Sequence, residues 1–133
     1  MKYELQQCIG ANIRSLSRVV DGYYRSCLKD FNITESQMTI LFTLSKVGKI
    51  EQGKIGEALV LERSTVSRNI KLLEKKGYLT RTTDYRPEIE LSKKGQILVV
   101  ELLPHWEKVM DTLTNLIGTD SILQIQELER KLK

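Results

Sequence analysis

A mainly helical fold carrying one small β-hairpin is what these 133 residues predict, on three observations. Apolar side chains recur at steps of three and four over most of the chain. Glycines and capping residues interrupt that pattern at intervals of about one helix length. Only between Tyr78 and Leu91 does the period change to alternation. With 41% hydrophobic and 29% charged residues, the chain has the composition of one compact domain. A domain of this length buries roughly two thirds of its unfolded surface, so it needs neither a disulfide nor a metal to hold a core.

Taken in order, residues 4 to 29 contain no proline and set Leu5, Ile9, Ile13, Leu16, Val20, Tyr23 and Cys27 along one side of a long helix. Asp30 to Ile33 interrupts it. Thr34, with Gln37 three residues later, has the pattern of a capping box and opens a second helix running to about Lys46. Met38, Leu41, Phe42 and Ser45 mark its expected inner face, and Gly48 ends it. A short third helix, about Gln52 to Leu59, turns Ile55, Ala58 and Leu59 inward. Val60-Leu61-Glu62 links it to a fourth, about Arg63 to Lys76. At 100° per residue, Val66, Ile70 and Leu73 of that helix share one side, and Ser64, Arg68, Lys71 and Lys75 share the other. Gly77 stops it.

Tyr78 to Thr82 and Glu88 to Leu91 then read as two strands, and Thr83-Asp84-Tyr85-Arg86-Pro87 supplies turn chemistry between them. Ser92 caps a fifth helix toward Ile117, which Pro104 should kink. Gly118 ends it, and Asp120 opens a sixth with Ile122, Ile125, Leu128 and Leu132 on one stripe.

Charge is concentrated in the same segment as the hairpin. Residues 62 to 94 hold nine basic and five acidic side chains, which accounts for the entire net charge of +4. A local basic excess in the segment that holds this helix face and the hairpin is the footprint of a polyanion-binding surface. Three short helices followed by a hairpin make the order of a winged helix-turn-helix, whose last helix enters the DNA major groove. Arg68 has the length for bidentate contact to guanine, and Ser64, Thr65 and Ser67 carry short hydroxyls for bases or phosphates. Arg63, Lys71 and Lys75 suit phosphates. On the wing, Arg81, Asp84 and Arg86 are the candidates, with Arg86 at the tip near an adjacent minor groove.

The stretch Leu61-Glu-Arg-Ser-Thr-Val-Ser-Arg-Asn-Ile-Lys-Leu-Leu-Glu-Lys-Lys-Gly-Tyr-Leu-Thr-Arg-Thr-Thr-Asp84 resembles the recognition helix and wing start of the multiple-antibiotic-resistance regulator (MarR-type) family. Its most specific parts are Ser64-Thr65-Val66-Ser67-Arg68 and Leu73-Glu74-Lys75-Lys76-Gly77. Leu91-Ser92-Lys93-Lys94-Gly95 is similar to the family's junction after the wing, and Ile33-Thr34 and Leu102-Leu103-Pro104 extend the likeness over most of the chain. The resemblance implies a dimeric bacterial or archaeal transcription regulator, often a repressor released by a small ligand or by oxidation. It also implies that Asp84 braces a wing arginine, here Arg86. Two features depart from the family pattern. The wing is about four residues short, and Glu62 stands where a serine cap is usual, placing a negative charge near the DNA.

The apolar faces of the first, fifth and sixth helices exceed what one small core can cover. A homodimer is therefore expected, within a single domain spanning 1–133: residues 1–30 and 96–133 form the dimerisation helices and 34–94 the winged-helix lobe. Two reading helices one turn apart, ~34 Å, call for a near-palindromic double-stranded site. If the family's crevice is kept, Tyr23, Tyr24, Phe42, His105 and Trp106 are its candidate lining for a small aromatic or apolar effector, unless they are packing residues.

Cys8 and Cys27 lie 19 positions apart, ~28 Å along a helix, and cannot pair within it. Peroxide-sensing relatives carry a tyrosine one turn beyond the cysteine, where this sequence has Asn12; Cys8 is the candidate for a redox role. One histidine and two separated cysteines make no transition-metal site, and no nucleophile–base, paired-carboxylate or phosphate-loop constellation is present, so neither a cofactor nor an enzymatic activity is expected. No apolar run approaches the ~20 residues of a membrane span and no secretory signal opens the chain, which points to the cytoplasm. The alternatives to a sequence-specific regulator are a winged-helix protein-interaction or nonspecific architectural module, and a cysteine-based redox-sensing regulator.

Overall fold

Each break in the helical pattern has a residue that makes it. In the computed structural model, which describes Met1–Lys133, a 3-10 turn (Leu5–Gln7) precedes helix α1 (Ile9–Leu28), and a second turn (Lys29–Phe31) follows it. Asn32, in the left-handed region at φ 54°, redirects the chain. Thr34 then caps α2 (Glu35–Val47): its Oγ1 accepts from the Gln37 amide (3.2 Å), and its own amide donates to Gln37 Oε1 (3.1 Å). Strand β1 (Ile50–Glu51), α3 (Gln52–Leu59), α4 (Arg63–Lys75), β2 (Leu79–Arg81), β3 (Glu88–Leu91) and α5 (Lys93–Leu132) complete the chain.

The expected hairpin is part of a three-stranded antiparallel sheet in the order β1-β3-β2. Ile50 pairs with Ile89, and Leu79 with Leu91. Two residues are too few for an alternating pattern, so β1 gave no signal of its own and forms because β3 offers it a free edge. Five α-helices stand where six were expected. The expected break at Gly118 is present, at φ 81° and ψ 160°: the run Lys93–Leu132 is two helical stretches joined across a kink there, counted together as α5 because helix resumes at once. Pro104 sits inside α5, where Gly118 is the only residue outside helical geometry. The first helix begins at Ile9 rather than residue 4, leaving Cys8 at its N-cap with extended ψ of 108°.

The core is built from fifteen buried apolar residues, among them Met38, Ile40, Leu41, Leu44, Ile55, Ile70, Leu73, Ile89 and Leu102. Each fully buried isoleucine or leucine contributes about 1.5–3 kcal/mol. Ile40 and Leu44 are buried, whereas Ser45 and Ala58, assigned inward by spacing, are exposed. The reason is that α2 is enclosed by α1, α3, α4, β3 and α5, so its buried arc is wider than a single stripe. Gly95 lets the start of α5 lie directly on the Tyr78 carbonyl, which a Cβ at that position would overlap.

Outside this lobe little is covered. Leu5, Ile9, Ile13, Leu16 and Val19 near the N-terminus, and Leu116, Ile117, Leu123, Ile125, Leu128 and Leu132 along the end of α5, are all exposed. No helix is long and apolar enough to cross a membrane.

Candidate DNA interface

Helix α4 owes its orientation to its apolar side. Val66, Ile70 and Leu73 are buried, at 2%, 0% and 0% exposure, and this pins the opposite side outward. Arg63, Ser64, Arg68, Lys71 and Lys75 are exposed there, while Thr65 and Ser67 are half-buried. Ser64, Ser67, Arg68, Lys71 and Lys75 line one shallow groove together with Leu72. Leu72, 42% exposed, lies in the middle of the basic face, an apolar residue for which charge patterning gives no signal. Glu62 holds the N-cap position with extended backbone but makes no side-chain cap bond, so the first amides of α4 are left free for an anion.

Buried polarity also fixes the helix. Asn69, in the apolar arc of α4, accepts at Oδ1 from Gln37 Nε2 of α2 (3.2 Å). Gln37 thus closes the cap of one helix and holds the other. At the far end of α4, Lys76 Nζ donates to the Asn32 carbonyl (2.6 Å) and Lys94 Nζ to the Lys76 carbonyl (2.8 Å). Ser92 Oγ donates to the Gly77 carbonyl (2.5 Å). Two of the nine clustered cations therefore anchor the carbonyl end of the helix, where positive charge is favoured.

The wing is short and closed. Thr82 donates its amide to the Glu88 carbonyl (3.0 Å), and the Glu88 amide donates back to Thr82 Oγ1 (2.9 Å). The Gln52 amide donates to the Pro87 carbonyl (2.9 Å), tying the loop to the start of α3. Arg81 lies 3.5 Å from Glu74 of α4 and is partly covered, bracing the wing base against the helix. Asp84 and Arg86 are both exposed at the tip and form no ion pair with one another; the ion pairs of the chain are Arg81–Glu74, Arg130–Glu127 and Lys133–Glu129. Arg86, Tyr85 and Pro87 share a cavity of about 200 Å³ with Gln52 and Arg63, so the tip adjoins the N-terminus of α4.

Residues 33–86 match the model of the MarR family. Over that segment the chain is similar to the MarR family. The HTH-type transcriptional regulator SarZ of Staphylococcus aureus (strain MRSA252) is 30% identical to it over 86 residues, 62% of this chain and 58% of that protein. SarZ of Staphylococcus saprophyticus is 34% identical over 84 residues, 60% of this chain and 58% of that protein. The match thus spans less than two thirds of these relatives' length. Among solved structures, a mutant MarR from E. coli complexed with operator DNA superposes with a TM-score of 0.83 at 17% identity, over 98% of this chain and 99% of that one. BpsR of Bordetella bronchiseptica, whose DNA binding is regulated by 6-hydroxynicotinic acid, gives 0.85 at 20% identity over 98% and 96%. At such identities the likeness shows the fold, the MarR winged helix, and the sheet described above is its wing.

The five aromatic-type crevice candidates line none of the main clefts together. Phe42 packs edge-on against Trp106 (5.4 Å between ring centres), and His105 against Phe31 (5.2 Å). Tyr24 Oη donates to Met110 Sδ (3.3 Å), and Tyr23 is exposed. These contacts join α1, α2 and α5. The adjacent cleft, about 640 Å³, lies between α1 and the N-terminus of α2 and is lined by Asp21, Arg25, Lys29, Ile33, Thr34 and Glu35, among others. Burial raises the Glu35 carboxyl above its ordinary value, with a further push from Asp21. Burial also raises the Tyr24 hydroxyl and the Cys27 thiol, so Cys27 is a poor source of thiolate. Cys8 is free and exposed.

Proposed function

We propose that this chain is a cytoplasmic, dimeric, sequence-specific double-stranded DNA-binding transcription regulator, acting as a repressor relieved by a small ligand. The observation that carries the reading is the outward face of α4: Ser64, Arg68, Lys71 and Lys75 in one groove, held by a buried opposite face and flanked by a wing that bears Arg81 and Arg86. Arg68 reads a base edge, Arg63, Lys71 and Lys75 hold phosphates, and Ser64, Thr65 and Ser67 supply short donors. On the wing, Arg86 meets DNA beside the reading helix, Arg81 sets the wing angle, and Asp84 keeps the tip polar. SarZ, a transcriptional regulator by name, supports the same reading.

The exposed apolar faces of α1 and the end of α5 support a homodimer built from residues 1–30 and 96–133, with 34–94 as the DNA-binding lobe. A twofold axis there presents two α4 helices to a near-palindromic site. The effector's place is the cleft between α1 and α2, where Arg25 and Lys29 suit the carboxylate of a small aromatic acid. NadR, solved in complex with 4-hydroxyphenylacetate, has this fold.

The test is selection of bound duplexes from a random pool at near-physiological salt, repeated with Arg68→Ala. Enrichment of an inverted repeat by the wild type, flattened by Arg68→Ala, is the expected result. Equal enrichment of all sequences makes the chain an architectural module instead.

A further inference from the structure

The most exposed large side chain inside the fold is aromatic, and it stands at the tip of the wing. Tyr85 is 97% exposed, against 38–64% for the exposed tyrosines of the N-terminal region. It makes no hydrogen bond and no ring contact, whereas Phe31, Phe42 and Tyr78 each have a partner. The loop that carries it is held at its base by the reciprocal Thr82–Glu88 bonds and by the Gln52–Pro87 bond, leaving residues 83 to 86 as the tip. With Arg63 and Arg86, Tyr85 rims the cavity between the wing and the N-terminus of α4.

We infer that Tyr85 is a DNA-contacting residue of the wing. Its ring lies against the sugar edge of the minor groove that flanks the segment read by α4. The inference rests on the DNA-binding reading above and assigns a role that the charge pattern did not suggest. A stub of four residues carries a side chain to the groove edge rather than deep into it. At that edge deoxyribose offers apolar surface between phosphates, and an amphipathic ring fits it, with the phenol directed to phosphate. Arg63 and Arg86, which share this cavity with Glu51, are the cations available to phosphates at this corner. The contact adds affinity without adding counterion release, because the ring is uncharged.

The experiment compares wild type, Tyr85→Ala, Tyr85→Phe, Arg86→Ala and Arg68→Ala on the selected duplex by fluorescence anisotropy over a salt series, with hydroxyl-radical footprinting. Tyr85→Ala is expected to weaken binding about tenfold at every salt concentration, the scale of an aromatic contact to nucleic acid. The slope of log K against log salt stays that of wild type, and protection is lost at the minor-groove positions flanking each half-site. Tyr85→Phe keeps most of the binding. Arg86→Ala lowers the slope by about one unit. Circular dichroism and melting temperature of the Tyr85 variants stay those of wild type, since nothing packs on the side chain.

Wild-type affinity and an unchanged footprint for Tyr85→Ala overturn the inference and leave the regulator reading standing, provided Arg68→Ala still loses specificity. Equal losses for Tyr85→Phe and Tyr85→Ala overturn the ring contact in favour of the hydroxyl. No preferred duplex for the wild type overturns both readings.

Discussion

Gln37 and Asn69, the two buried polar side chains of the core, are bonded to each other across α2 and α4 (3.2 Å). Since Gln37 Oε1 also receives the Thr34 amide, the cap of α2 and the orientation of α4 rest on a single side chain. One residue before Asn69 stands Arg68, the proposed base reader. Asn69→Ala leaves the Gln37 amide donor without a partner in the interior, at a cost of about 1–3 kcal/mol. A double-mutant cycle of Gln37→Ala and Asn69→Ala in urea should return a coupling energy of about 0.5–3 kcal/mol. Strict additivity of the two losses contradicts this account.

Val60 ends α3 in the left-handed region, at φ 54° and ψ 50°, a conformation that a β-branched residue adopts only under strain. Its side chain is 71% exposed, so no packing offsets the strain. Asparagine tolerates this geometry, and Val60→Asn should stabilise the fold by about 1 kcal/mol. A thermal melt that falls instead shows that the turn before α4 depends on the valine.

Gly95 behaves in the opposite way. Any Cβ there meets the Tyr78 carbonyl, and that backbone is held by the Ser92 amide (3.0 Å), so it cannot easily retreat. Gly95→Ala is expected to cost about 3 kcal/mol or more, or to prevent folding, read as a lowered urea midpoint or loss of soluble protein.

Glu35 makes stability depend on pH. Its carboxyl is raised by burial and then by Asp21, so the folded chain holds that proton more tightly than the unfolded chain does. Its favourable contribution is complete below the ordinary carboxylate value of ~4.3 and is lost as pH rises through the raised folded value. Glu35→Gln should therefore gain on the wild type as pH is raised from ~4 to ~7, followed by urea midpoints at fixed protein concentration. A constant difference across that range contradicts the shift.

The dimer proposal predicts that charge on the uncovered α5 face separates the chains. Leu128→Asp, at a residue 53% exposed in one chain, should convert the protein to monomers in sedimentation and leave the helical content of the lobe in place. A monomeric wild type at micromolar concentration refutes the arrangement.

Much of the lobe was written in local chemistry. The bounds of α3 and β3, the capping box at Thr34 and Gln37, the inward Val66, Ile70 and Leu73 and the stop at Gly77 depend on residues within a turn or two of one another, and spacing alone exposes such relations. The reading face of α4 follows from them, because a helix that buries one side must present the other. What depended on distant residues was decided only by packing. Strand β1 exists because β3 has an edge for it, Arg81 turns to Glu74, Phe42 and His105 are taken up by Trp106 and Phe31, and Lys76 and Lys94 secure carbonyls. In each case the partner lies far off in sequence or on another element, and periodicity carries no information about which of several compatible partners the folded chain brings within reach.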